Sequence, residues 1–148
     1  MSTHPSESWF WSYCDAVEKK HPDARSELEL EMLEFRDFRN RAGGEGSVAY
    51  FIDSYDIRPS RVAKFLTRFA PPEIGAIARD MSLRYPDDMP KDLAEREAYI
   101  LSRFTDGAGL SLQFEWRGEE DQAYERLDEF CVGEGALELY RKLRECLE

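Results

Sequence analysis

The stretch ARSELELEMLEFRDFRNR, residues 24–41, decides the fold. From Ser26 to Met32 polar and apolar residues alternate, as they would along a half-buried strand. The alternation breaks at Met32–Leu33, where two apolar residues adjoin, and Glu34 to Arg41 have no period of two. On a helix, Leu28, Met32 and Phe35 share one face, which Leu33 and Phe38 widen. Glu and Leu favour helices, and Glu is poor in strands. The spacing therefore predicts a helix from about Asp23 to Arg41, with Asp23 or Ser26 at its N-cap and Gly43–Gly44 closing it.

The same pattern runs outward in both directions. Glu7 to Lys20 reads as a helix that Ser6 is placed to cap and Pro22 stops. Its Trp9, Phe10, Trp11 and Tyr13 read as rings docking the helix onto a core rather than as a platform for bases. Ser47 to Tyr55 is short and fits a strand or a buried helical turn, with helix favoured by its helical neighbours. Pro59 opens a helix to Phe69. Pro71–Pro72 break the chain before a helix from Glu73 to Arg84, and Pro86 stops that one. Asp87–Asp88–Met89–Pro90 is a turn, Asp92 to Phe104 a helix capped near Asp92, and Thr105–Gly109 a loop. Leu110 to Trp116 alternates and fits a short strand or an extended loop. Glu119 to Cys131 and Gly135 to Leu147 complete the chain. The expectation is one all-α domain of about six to eight helices, without repeat or linker.

Composition narrows the function. The 148 residues carry a net charge of −11, which repels nucleic acid and anionic membranes and suits basic protein partners. Cys14, Cys131 and Cys146 are odd in number and far apart, with no CxxC or Cys/His cluster, so zinc is not expected and reduced thiols in a cytoplasmic protein are. The N-terminus lacks the pattern of a signal peptide, and no run approaches the roughly 20 apolar residues of a spanning helix. His4 and His21 lie near the start. No GxSxG, Walker A, GxGxxG, HExxH or EF-hand pattern occurs, and GGEG at Gly43–Gly46 lacks the tail of a phosphate loop. No catalytic residue, metal ligand or cofactor is expected.

Charge is distributed unevenly. Residues 58–84 hold six bases and two acids, whereas residues 119–148 hold ten acids and four bases. On the 23–41 helix Glu27, Glu31, Glu34 and Asp37 follow i, i+4, i+7, i+10. On the 119–131 helix Asp121, Glu125 and Asp128 repeat the spacing, with Glu119, Glu120 and Glu129 beside them. One column gives a charge per about 5 Å of helix, sparser than the one phosphate per about 3.4 Å of a DNA strand. Two columns on helices about 8–10 Å apart approach that density. The basic helix with Arg58, Arg61, Lys64 and Arg68 reads as a source of partners for neighbouring acids rather than as an anion site. The last helix balances itself through Glu138 with Lys142 and Arg141 with Glu145.

Tyr50 to Leu101 resembles a bacterial family of helical acidic DNA-mimic proteins. Tyr50-Phe51-Ile52-Asp53-Ser54 stands where that family has Tyr-Phe-x-Asn-Ser. Pro59, Ile74-Gly75-Ala76, Tyr85-Pro86 and Asp92 with Arg96 fit their places, and Tyr124 to Phe130 suits the acidic penultimate helix. Asp53 replaces Asn, Ala49 an expected Gln, and Gly44-Glu45-Gly46-Ser47 a Gly-Gly-aromatic element. The resemblance implies an all-helical fold, often a homodimer, whose surface carboxylates occupy the nucleic-acid site of a partner.

The leading expectation is thus a non-enzymatic inhibitor, bacterial or phage. It binds a basic nucleic-acid-binding protein such as a transcription factor, nucleoid protein or CRISPR-type defence complex, and binds neither nucleic acid nor membrane itself. Glu27, Glu31, Glu34, Asp37, Glu119, Glu120, Asp121, Glu125, Asp128 and Glu129 are the expected phosphate surrogates. An immunity-type protein that neutralises a basic toxin is the alternative, and a small enzyme the third reading.

Overall fold

Proline and glycine set most of the helix boundaries, because one cannot continue a helical ladder and the other readily leaves it. A computed structural model describes residues 4–44, 49–51, 57–104 and 118–148. Of these, 101–104 and 118–122 are described by backbone alone. Seven α-helices of the described residues are α1 (Pro5–Glu18), α2 (Glu27–Gly44), α3 (Pro59–Phe69), α4 (Pro72–Arg84), α5 (Leu93–Phe104), α6 (Gly118–Val132) and α7 (Gly135–Leu147). Residues 49–51 are helical too, as expected for that stretch, and no strand occurs among the described residues. The rest of 47–55 and the extended segment expected at 110–116 lie outside them. The all-α expectation holds.

The helix ends differ from expectation in instructive ways. Asp23 belongs to a separate 3-10 turn, Pro22–Ala24, so α2 starts later than Asp23. Ser26 and Glu29 cap each other: the Ser26 N–H donates to Glu29 Oε1 at 2.9 Å, and the Glu29 N–H to Ser26 Oγ at 3.1 Å. This reciprocal box satisfies two otherwise orphaned donors. Lys20 Nζ adds a 2.6 Å bond to the other Glu29 oxygen. That bond, with the Ser26 backbone donor, holds the Glu29 carboxyl below its ordinary value. The resulting stabilisation is full above the ordinary carboxylate range and is lost as pH falls through the lowered value. Ser26→Ala should cost about 1 kcal/mol in urea unfolding; a change within a few tenths would mean that the box contributes nothing. At α1 it is His4, not Ser6, that caps, its Nδ1 accepting from the Ser6 N–H at 3.1 Å. Asp92 caps α5 as expected, Oδ2 accepting from the Glu95 N–H at 3.0 Å.

Helix α2 is the central element and packs on α1, α3 and α6, while α7 closes over α1 and α6. The core is largely aromatic. Phe35 meets Phe65 at 4.9 Å and Phe10 at 6.0 Å between ring centroids, and Phe10 stacks on Tyr140 at 4.6 Å. A second chain of rings runs Phe38, Tyr50, Phe51, Tyr85 at 4.5 to 5.3 Å. The rings of α1 dock inward as expected: Phe10 is buried, and Trp11 shares Glu7 with Arg39, whose guanidinium lies 5.1 Å from the indole. The tightest helix pair is α3 with α4. A Cβ on Gly75 would stand 3.0 Å from the Thr67 Cα, so only glycine lets the two backbones cross there without displacement.

Candidate functional site

The acidic column of α2 does not form an outer surface. Its face turns toward α3, the basic helix. Glu27 is exposed but accepts from Arg61 Nε at 3.3 Å. Glu31 is only 7% exposed, among Arg61, Lys64 and Arg68. Glu34 is half-buried and accepts the Tyr50 hydroxyl at 2.7 Å. Asp37 is exposed and accepts from Arg36, which also binds Glu18 of α1. Glu31 and Glu34 are therefore withdrawn from the set of exposed phosphate surrogates, and Glu27 and Asp37 are already engaged by arginines. The physical reason is charge complementarity between two packed helices: α2 carries five acids and three bases, α3 three bases and no acid.

Burial of these carboxylates leaves a titration signature. Desolvation raises the Glu31 and Glu34 carboxyls above their ordinary value, and the Tyr50 hydrogen bond offsets this only in part at Glu34. For a raised carboxyl the folded state binds its proton more tightly than the unfolded one. Its ionisation therefore costs stability as pH rises from the ordinary value through the raised one. Glu34→Gln keeps an oxygen for Tyr50 and removes the charge. Its thermal midpoint should exceed the wild-type value at pH 8, and the gap should narrow as pH falls into the carboxylate range. A gap independent of pH would assign the effect to packing.

Helix α6 behaves differently. It carries six carboxylates and one base, Arg126, and Arg126 is spent on Glu73 of α4 at 2.6 Å. Glu125 and Glu129 are exposed. Asp128 is half-buried with Oδ1 shut off from solvent, so it leaves the expected Asp121–Glu125–Asp128 column. Among the described side chains, Glu125 and Glu129 share the exposed side, i and i+4. The side chains of Glu119, Glu120 and Asp121 lie outside the described residues. Sequence spacing found α6 but could not separate i+7 from i+8, which differ by about 100° around the axis.

Other candidate chemistry has structural partners. The Asp87 carboxylate, in the turn expected at Asp87–Pro90, caps α3: it accepts from the Ser60 N–H at 3.0 Å and the Ser60 hydroxyl at 2.5 Å. Arg96 of the Asp92/Arg96 pair is buried and donates to the Pro90 carbonyl at 2.8 Å. All three cysteines are free thiols. Burial pushes Cys14 up to about 12 and raises Cys131 as well, which suppresses the thiolate. No group of three or more metal-ligating side chains occurs among the described residues, and no described helix is long and apolar enough to cross a membrane. No family model, curated protein or solved structure matches the chain.

Proposed function

We propose that the chain is a non-catalytic binding protein of the DNA-mimic kind, which engages the basic nucleic-acid-binding groove of a protein partner through α6. The observation that carries this reading is the charge of α6: six acids, one base, and that base already paired with Glu73. The other helices do not share this imbalance to the same degree. Helix α7, for example, sets Arg141, Lys142 and Arg144 against Glu138 and Glu145, and Arg141 binds both acids. Six carboxylates over a helix roughly 22 Å long give one per about 4 Å, near the spacing of about 3.4 Å along a DNA strand. The likeness of Tyr50 to Leu101 to acidic DNA-mimic proteins supports the same reading.

The interface is narrower than sequence reasoning expected, with α6 at its centre and α2 contributing at most Glu27 and Asp37. Like charges on one helix repel by a few tenths of a kcal/mol per close pair, and a cationic partner relieves that repulsion on binding. The test is capture of partners from host lysate on immobilised protein, with and without excess duplex DNA of unrelated sequence. A basic nucleic-acid-binding protein released by the duplex is the expected result. Specific capture of a protein that excess DNA fails to release points to the immunity-type alternative and overturns mimicry.

A further inference from the structure

One basic feature stands apart from α6. The backbones of α3 and α4 cross at Gly75 and Thr67, and a cleft of about 370 Å³ lies between the two helices. It is lined by Ser60, Ala63, Lys64 and Thr67 with Arg68, and by Arg79 and Ser82 from α4. The lining surface is almost wholly carbon, which the methylene stems of lysine and arginine can supply while their charged ends stay at the rim. Arg79 reaches across from α4, its Nη1 donating to Thr67 Oγ1 at 3.3 Å. Arg68 contacts the Cys146 thiol at 3.6 Å and the Phe69 ring at 5.2 Å. Among the described residues none of Lys64, Arg68 and Arg79 has a carboxylate within ion-pair distance, whereas Arg61, on the same helix, has Glu27. In a chain with 31 acids and 20 bases, three cations around one apolar cleft thus have no ion pair among the described residues. Of the nearby acids, Glu31, buried on α2, acts on Lys64 and Arg68 only from beyond ion-pair distance, and both Asp87 oxygens are held by Ser60.

We propose that this cleft binds a small organic anion with an apolar body, of which a medium-chain carboxylate is the simplest, its charge held by Lys64, Arg68 and Arg79 and its chain lying along the cleft. At about 30 Å³ per water-sized group the volume holds roughly a dozen non-hydrogen atoms, and pockets of this size and mixed lining are typical of small-molecule sites. The negative field of the whole chain opposes an anion at long range, but it is screened beyond about 10 Å at 0.1 M salt. Charge-assisted hydrogen bonds in the cleft act at contact.

Calorimetric titration of the full chain with octanoate, below its micellar concentration, tests the proposal against 1-octanol and acetate. Octanoate should bind saturably at one site per chain, at least about tenfold tighter than either control, since only octanoate engages both cations and apolar wall. Lys64→Ala with Arg79→Ala, both at exposed positions, should lose at least about tenfold of that affinity without shifting the melting temperature. Ser82→Phe, which fills the cleft, should abolish binding, and decides the matter if the double variant folds poorly. Absence of saturation, equal binding of acetate, or equal binding of octanol overturns the proposal. So does a dimer in sedimentation that the double variant converts to monomer, which would make the occupant a second copy of this chain.

Discussion

Phe35→Ala should lower the free energy of unfolding by about 3–5 kcal/mol, as expected for removal of a buried ring. Phe35 is fully buried. Its ring lies between those of Phe10 and Phe65, so its removal opens a void where α1, α2 and α3 meet. The loss combines the transfer free energy of the ring, the dispersion contacts of its lining, and two aromatic pairs worth about 0.5–1.5 kcal/mol each. A domain of this size has about 5–15 kcal/mol in total, so the variant should unfold at a markedly lower urea midpoint with an unchanged slope. Leu33→Ala, at a half-buried site on the same helix, is the comparison and should cost clearly less. Equal losses for the two would show that the ring chain is not the centre of the core.

The second large effect concerns binding. Glu125→Lys with Glu129→Lys should weaken capture of the DNA-displaceable partner by about 100-fold or more. That corresponds to about 2.7 kcal/mol, within the cost of losing close charge pairs at protein interfaces. Two attractive contacts become repulsive, and the net charge of the chain moves from −11 by four units. Both residues are exposed, so the fold should keep its stability within about 0.5 kcal/mol. The residual binding should also depend less steeply on salt, because fewer charges steer the encounter. Glu31→Gln is the informative control. It removes a charge from the column that the sequence ranked beside α6, yet Glu31 is buried against α3, and capture should be unchanged. An undiminished affinity in the double variant would remove α6 from the interface.

The fold was legible because helical periodicity is a local property. The break at Met32–Leu33 excluded a strand before any contact was known, and Pro59, Pro72 and Gly135 stand at the helix starts they imply. Local chemistry was read less completely. The Ser26/Glu29 box has the S-x-x-E spacing, yet the sequence reading assigns only a single cap, at Asp23 or Ser26. Of the candidate site, the sequence shows the charge of α6 and α2 but not which of their carboxylates are exposed, and spacing alone gives α2 an outer face that its packing on α3 denies. A signal pointing the other way was present: the bases of α3 repeat at Arg61, Lys64 and Arg68, spaced to meet an acidic column.

The amino-acid order by itself determined that this chain is helical, where most helices begin and end, and that α6 carries more negative charge than it can neutralise. Those properties depend on residues within a few positions of one another, and helix geometry relates them directly. Only the tertiary structure decided which carboxylates face water. A column of acids has the same spacing whether it lies against solvent or against a basic helix, and the choice depends on residues some thirty positions away in the chain. Packing α3 on α2 buried Glu31, bound Glu27 to Arg61, and left Lys64 and Arg68 beside an apolar cleft. Pairing across helices satisfies long-range electrostatics, and a one-dimensional pattern does not encode which pairs form.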